Sequence, residues 1–145
     1  MSGSLAGVRA LVTGGSRGIG RAIVLALADE GAHVVFGYHG DREQAERTRN
    51  ELRARDSGAA AIEADLSRED ECSALVTGAV DELGGLDVVV NNAGILHEQP
   101  LLDTDVADFD RVIGVNLRGT FLVGRESIRW MVQQGSGGQI GRAHV

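Results

Sequence analysis

Short apolar runs alternate with amphipathic stretches along this chain, and the rhythm changes over at glycine. Val8 to Val12 reads as a buried strand carried on to Thr13, after which Ile19, Ile23, Ala26 and Leu27 recur at helical spacing. A first helix is therefore predicted over Gly18 to Glu30, with Gly31 as its C-terminal cap. His33 to Tyr38 is the second strand. The charged helix after it, from about Asp41 to Arg55, has only a thin apolar stripe in Ala45, Arg49 and Leu52, so most of it faces solvent. Ala59 to Glu63 makes a third strand. Ser67-x-x-Asp70 has the spacing of a capping box, opening a helix lined by Cys72, Leu75, Val76, Ala79, Val80 and Leu83 that Gly84-Gly85 ends. Leu86 to Val90 is continuously apolar, as in a strand covered on both faces, and stops at Asn91-Asn92. From about Asp105, Phe109, Val112, Ile113, Leu117, Phe121, Ile128 and Met131 repeat at helical spacing along the longest helix. Gln134-Gly135-Ser136-Gly137-Gly138 breaks that helix, and a fifth strand has barely begun at Gln139.

Strands alternating with helices of this length call for parallel pairing, right-handed crossovers and helices on both faces. The expected class is doubly wound α/β. With 145 residues and 43% hydrophobic content the chain suits one domain with a real core and is too short for two of ordinary size. A formal charge of −7, with arginines interspersed among acids, argues against nucleic-acid or membrane-surface partners, which would repel it. One cysteine, Cys72, cannot form an internal disulfide and falls on an apolar helical face, where packing is its expected role. With no charged-then-apolar leader and no long apolar run, cytoplasmic residence is the default.

The chemistry concentrates at the first change of rhythm. Thr13-Gly14-Gly15-Ser16-Arg17-Gly18-Ile19-Gly20 joins strand to helix almost without side chains, so backbone amides and the positive end of the helix dipole can approach a pyrophosphate. In open parallel sheets ligands bind beyond the carboxyl ends of the strands. Two more polar points fall there: Asp65 with Leu66 after the third strand, and Asn91-Asn92-Ala93-Gly94 after the fourth. A carboxylate so placed can accept from an adenine amino group, although Asp65 also suits a helix start and the asparagines a turn. Together the three points favour a nucleotide site. Asn116 interrupts the apolar face of the long helix between Ile113, Leu117 and Thr120, and a buried amide there needs partners. No residue cluster suggests a metal.

Four of these stretches, in order, resemble the classical short-chain dehydrogenase/reductases: Thr13-Gly14-x-x-x-Gly18-Ile19-Gly20, Asp65, Asn91-Asn92-Ala93-Gly94 and Val115-Asn116-Leu117-x-Gly119. The resemblance spans essentially Leu5 to Ile140, and its tenor is similar to 3-oxoacyl-carrier-protein reductases. It implies a Rossmann-like fold present as its N-terminal half, about four strands plus the start of a fifth. It implies an NAD(P) site along Thr13, Gly14, Ser16, Arg17, Gly18, Ile19, Gly20, Tyr38, Asp65, Leu66, Asn91, Ala93 and Gly94, with Asn116 supporting a water-linked proton relay. The implied reaction is hydride transfer between the cofactor and a small carbonyl or alcohol substrate, in a full-length form that is a homo-oligomer. Tyr38 stands where resembled NAD-specific members carry Asp, and Arg17 in the glycine turn suits a 2′-phosphate, so NADP(H) is preferred with NAD(H) possible. The serine, tyrosine and lysine of the family's reaction cannot be assigned. The only tyrosine is Tyr38, and no Tyr-x-x-x-Lys occurs. The serine would fall near His144 and Val145, and the other two beyond them. Residues 1–139 then form an incomplete domain. Ile140 to Val145 back-translates as ATC GGA AGA GCA CAC GTC, resembling a library adapter, so residues 140–145 read as foreign to the gene. The alternative is an inactive nucleotide-binding module; a sugar-nucleotide epimerase fits the glycine spacing less well.

Overall fold

Five parallel strands form one sheet in the order β3-β2-β1-β4-β5: β1 Arg9–Val12, β2 His33–Tyr38, β3 Ala60–Glu63, β4 Val88–Asn91 and β5 Gln139–Arg142. The computed structural model describes residues 3–58 and 60–143. Ala59, expected to start the third strand, and the terminal His144 and Val145 lie outside the described residues. Helices α1 Gly18–Asp29 and α2 Arg42–Arg53 cover one face, and α3 Glu69–Leu83 and α5 Thr120–Gln134 the other; α4 Val106–Ile113 leads into α5. Strand alternation divides the core accordingly. Ala10, Val12, Val34 and Phe36 meet Val24, Ala28, Ala45 and Leu52, whereas Leu11, Val35 and Val89 meet Cys72, Leu75, Val76, Leu122 and Val123. Because β1 is flanked by β2 and β4, strand order reverses beside it, which opens a crevice at its carboxyl end.

Several local expectations change for identifiable reasons. The ladder of β4 begins at Val88 rather than Leu86, because the Gln134 side chain takes both backbone groups of Leu86 (3.1 and 2.6 Å). No capping box forms at Ser67. Its backbone N–H and hydroxyl both donate backwards to Asp65 Oδ1 (3.0 and 2.7 Å), so α3 starts at Glu69 with Arg68 as its uncapped N-cap residue. On α2 the buried positions are Ala45, Thr48 and Leu52, while Arg49 pairs with Glu46 at the surface. Asp41 stands before that helix as its cap, accepting from Gln44 N at 3.1 Å.

The long helix departs furthest from its pattern. Gly114–Gly119 is wound as a π-helical segment between α4 and α5, and the face turned to the sheet carries Leu122, Val123, Ser127 and Met131. Most of the stripe read from the sequence lies outward instead: Phe109 is 58% exposed, Leu117 61%, Phe121 58% and Ile128 51%. Met131 alone of the long-range repeat is fully core.

At the opposite edge of the sheet Arg9 fixes the start of β1 to Asp87. Its Nε and Nη2 donate to the two carboxylate oxygens (2.9 and 2.8 Å), its backbone N–H donates to Oδ2, and Nη1 donates to Gly84 O. These donors hold the Asp87 carboxyl below the usual carboxylate range. A carboxylate more acidic in the folded chain than in the unfolded one (about 3.9) stabilises the fold above that value. The stabilisation is lost as pH falls through the folded pKa. Urea midpoints measured from pH 7 to pH 2.5 should therefore show a shallower acid decline in Asp87→Asn, together with a lower plateau at pH 7; an unchanged acid limb would refute the assignment.

Candidate functional site

The glycine turn, the end of β3 and the end of β4 converge on one cleft of about 660 Å³ at the carboxyl edge of the sheet. Thr13, Gly14, Ser16, Arg17, Gly18, Ile19, Gly20, Tyr38, Asp65, Leu66, Ala93 and Gly94 all line it. Asn91 does not. It is 6% exposed, at the end of β4, and its carbonyl accepts from Ala143 N at 3.2 Å. Asn116 also stands behind the wall; Asn92, read as part of the corner after the fourth strand, does line the cleft, and sequence reasoning missed Gly37, His39, Ala64, Leu75, Ile95, Leu96 and Val115, which complete the lining. A smaller hollow of about 460 Å³ between α3 and α5 has its arginines engaged, Arg125 by Glu69 and Arg129 by Glu126.

Two glycines set the shape of the turn. Gly14 has φ +67°, a left-handed conformation costly for side-chain-bearing residues. At Gly20 a Cβ would lie 2.0 Å from Gly14 O and 2.3 Å from Asn92 Nδ2, so the helix start sits directly on the turn. Asn92 bolts the two polar corners together: its Nδ2 donates to Thr13 O and Gly14 O, both at 3.1 Å. In return Thr13 Oγ1 accepts from the backbone N–H of Asn92 (3.1 Å) and Ala93 (3.0 Å). Asn92 Oδ1 is buried with no hydrogen-bond partner among the described residues. From below, the Thr48 hydroxyl donates to Ser16 O at 3.1 Å. Helix α2 thus supports the turn that α1 begins.

Electrostatics differ along the cleft. The Ser67 hydroxyl, ahead of its backbone N–H and the charges of His39 and Arg68, holds the Asp65 carboxyl below its ordinary range, so it is an acceptor at neutral pH. Arg17 is exposed on the rim and makes no ion pair with any described residue. Arg42, which sequence reasoning passed over, donates to Glu63 at 3.2 Å, and Glu63 together with Tyr38 keeps its guanidinium firmly charged. Behind the wall Asn116 holds the Ile95 peptide from both sides. Its Oδ1 accepts from Ile95 N and its Nδ2 donates to Ile95 O, each at 2.8 Å, while its own carbonyl accepts from Thr120 Oγ1 at 3.0 Å. Cys72 lies outside the cleft, 1% exposed, with Sγ 3.3 Å from Leu66 O. Burial pushes its thiol up to about 11, so it is not a nucleophile at neutral pH.

Among the described residues no helix is long and apolar enough to cross a membrane, and no group of three or more His, Cys, Asp and Glu side chains is placed to hold a metal. A reversed strand order, a glycine turn leading into a helix and a cleft at the strand tips define the class as Rossmann-like α/β. The profile of the short chain dehydrogenase family matches residues 9–140, and the chain belongs to that family. It is 41% identical over 136 residues to 3-oxoacyl-[acyl-carrier-protein] reductase FabG of Staphylococcus aureus, covering 94% of this chain and 55% of the relative. Versicolorin reductase stcU of Emericella nidulans is 44% identical over 131 residues, with 90% and 50% covered. A short chain dehydrogenase from Burkholderia cenocepacia, solved in complex with NADP, superposes with TM-score 0.91 at 38% identity, covering 95% of this chain and 55% of that one. A dehydrogenase/reductase from Sinorhizobium meliloti superposes with TM-score 0.90 at 45% identity, covering 97% and 55%. The chain spans about half the length of the relatives it matches.

Proposed function

We propose that this chain is the cofactor-binding half of an NADP(H)-dependent oxidoreductase that interconverts a carbonyl and an alcohol on a small molecule. The observation that carries this reading is the convergence of the Thr13–Gly20 turn, Asp65 and the Ala93-Gly94 corner on one cleft. Backbone amides of the turn hold the diphosphate, helped by the dipole of α1. Asp65 and Leu66 take the purine end, and Ala93 and Gly94 present a wall without side-chain bulk to the nicotinamide end, with Asn91 closing β4 behind them. Bound there, the dinucleotide supplies or takes up the hydride. Asn116 holds Ile95 and so keeps the wall in register with α4 and α5, which is its supporting role toward the proton-transfer groups. Those groups belong to the longer protein: the chain contains no lysine, and its single tyrosine, Tyr38, ends β2. That same observation favours a second reading, a nucleotide-binding module without chemistry of its own. Residues 140–145 are proposed to be foreign; sequencing the gene past the Gln139 codon tests both points, since Ser and Tyr-x-x-x-Lys codons following it support the oxidoreductase. The outward stripe of Phe109, Leu117, Phe121 and Ile128 supports a homo-oligomeric full-length form.

Preference for NADP(H) is assigned to Arg17, a cation on the rim with no competing carboxylate partner among the described residues, and to the absence of an acid at Tyr38. Titration of this chain with NADPH and NADH by cofactor fluorescence tests it. Arg17→Ala should weaken NADPH binding by about tenfold or more, the value of a charge-assisted hydrogen bond, while NADH affinity holds. Equal losses for both coenzymes would overturn the assignment, and binding of neither would overturn the function.

A further inference from the structure

The glycine turn is tied down on two sides before it opens onto the cleft. The Gly15 N–H donates to Gly37 O of β2 at 2.9 Å, and a Cβ at Gly15 would lie 2.5 Å from that of Phe36, so the turn rests directly on the second strand. One residue on, the Thr48 hydroxyl donates to Ser16 O at 3.1 Å from the buried stripe of α2. Thr48 is fully buried and Ser16 nearly so, and little water competes for that bond. The Ser16–Arg17 peptide is trans, which sets its C=O and N–H on opposite sides. With Ser16 O drawn down to α2, the Arg17 N–H points the other way, towards the cleft that both residues line. It donates to no described residue. Arg17 itself is extended (φ −153°, ψ 171°), the last residue before α1.

We infer that Thr48 is a positioning residue for the coenzyme's phosphates, acting through the Ser16–Arg17 peptide. This role rests on the nicotinamide-dinucleotide reading above and deepens it by naming, outside the cleft, the group that aims one of the turn's amides. Without the hydroxyl, Ser16 O would face a buried apolar position with its hydrogen bond unmade, a cost that rotation of the peptide relieves. Rotation turns the carbonyl into the cleft and the N–H away from it. An acceptor then stands where a donor stood opposite an anion, and attraction becomes repulsion. The dipole of α1 and the Arg17 guanidinium are untouched, so binding weakens without vanishing.

The test sets dissociation constants for NADPH and NADH, measured by cofactor fluorescence, beside urea midpoints for this chain, Thr48→Val, Thr48→Ser and Ser57→Ala. Ser57→Ala is the structural control, because that hydroxyl makes the same kind of buried bond, to Ala32 O at 2.7 Å, just before β2 and away from the turn. Thr48→Val, which keeps shape and burial, should weaken NADPH binding by about tenfold or more, the worth of one charge-assisted hydrogen bond. Thr48→Ser, which keeps the hydroxyl, should bind within about threefold of the parent. Ser57→Ala should lower the urea midpoint while both dissociation constants hold. Should Thr48→Val not fold, Thr48→Ala carries the same expectation. An equal loss for NADH assigns the Arg17 N–H to the diphosphate and a loss confined to NADPH assigns it to the 2′-phosphate; either supports the role. Unchanged NADPH binding in Thr48→Val would leave Thr48 a purely structural part and overturn the inference, as would a loss that Ser57→Ala reproduces or that Thr48→Ser does not recover. Binding of neither dinucleotide by the parent chain would instead overturn the cofactor reading, and the inference with it.

Discussion

Replacing Gly20 with alanine is expected to weaken NADPH binding by about 100-fold or more while the strands remain paired. The added methyl would sit 2.0 Å from Gly14 O and 2.3 Å from Asn92 Nδ2, and both are held, the first by the turn and the second by its bonds to Thr13 O and Gly14 O. Neither neighbour is the free end of a flexible side chain, so α1 must move away from the turn. Overpacking of this kind costs about 1–3 kcal/mol and at times more. Here it falls on the amides proposed to hold the diphosphate. Gly124→Ala is the matched control: a helix-interior glycine of α5 with nothing within 4 Å of the added Cβ. That variant should bind NADPH unchanged and gain about 0.5–1 kcal/mol of stability. Calorimetric titration decides the matter, and Gly20→Ala binding within about threefold of the parent would mean that the turn is not the diphosphate seat.

Thr13→Val should be the most damaging conservative change in the core, costing about 2–4 kcal/mol. The residue is 1% exposed, and valine copies its shape, so little packing is lost. What disappears is the one oxygen that accepts from both Asn92 N and Ala93 N. Each stranded amide costs about 1–3 kcal/mol. The urea midpoint should fall at unchanged slope, and Thr13→Ser should recover most of the loss. An unchanged midpoint for Thr13→Val would show that these two amides find other acceptors.

Much of this architecture was legible because the deciding signals are local. Glycine spacing placed the turn, the short apolar runs placed the strands, and chain alternation placed their order of layers. Residues whose roles depend on partners far along the chain were less readable. Asn91 and Asn92 are indistinguishable as types. Strand parity separates them, since Asn91 shares the inward face of Val89 and only the next residue is free to cross to Thr13. Thr48 carried a usable sign, a position three after Ala45 and four before Leu52 on the stripe of α2, yet its polarity concealed it. Ser67 looked like a forward cap and bonds backward, because Asp65 is two residues away and the helix N–H groups are not yet formed there. On the long helix two apolar faces coexist, and periodicity alone does not say which one meets the sheet.

The widened turn at Gly114–Gly119 bears on how the gene can change. Such a turn is what an α-helix becomes on absorbing one surplus residue without unwinding. Removing a single codon there would let the ordinary ladder close, while the later positions of the helix keep their face to the sheet. Leu122, Val123, Ser127 and Met131 would stay where they pack. The same loss inside α5 has no surplus residue to give up and would rotate every later position by about 100° about the axis, so chain length should be freer at the widened turn than in the helix that follows it.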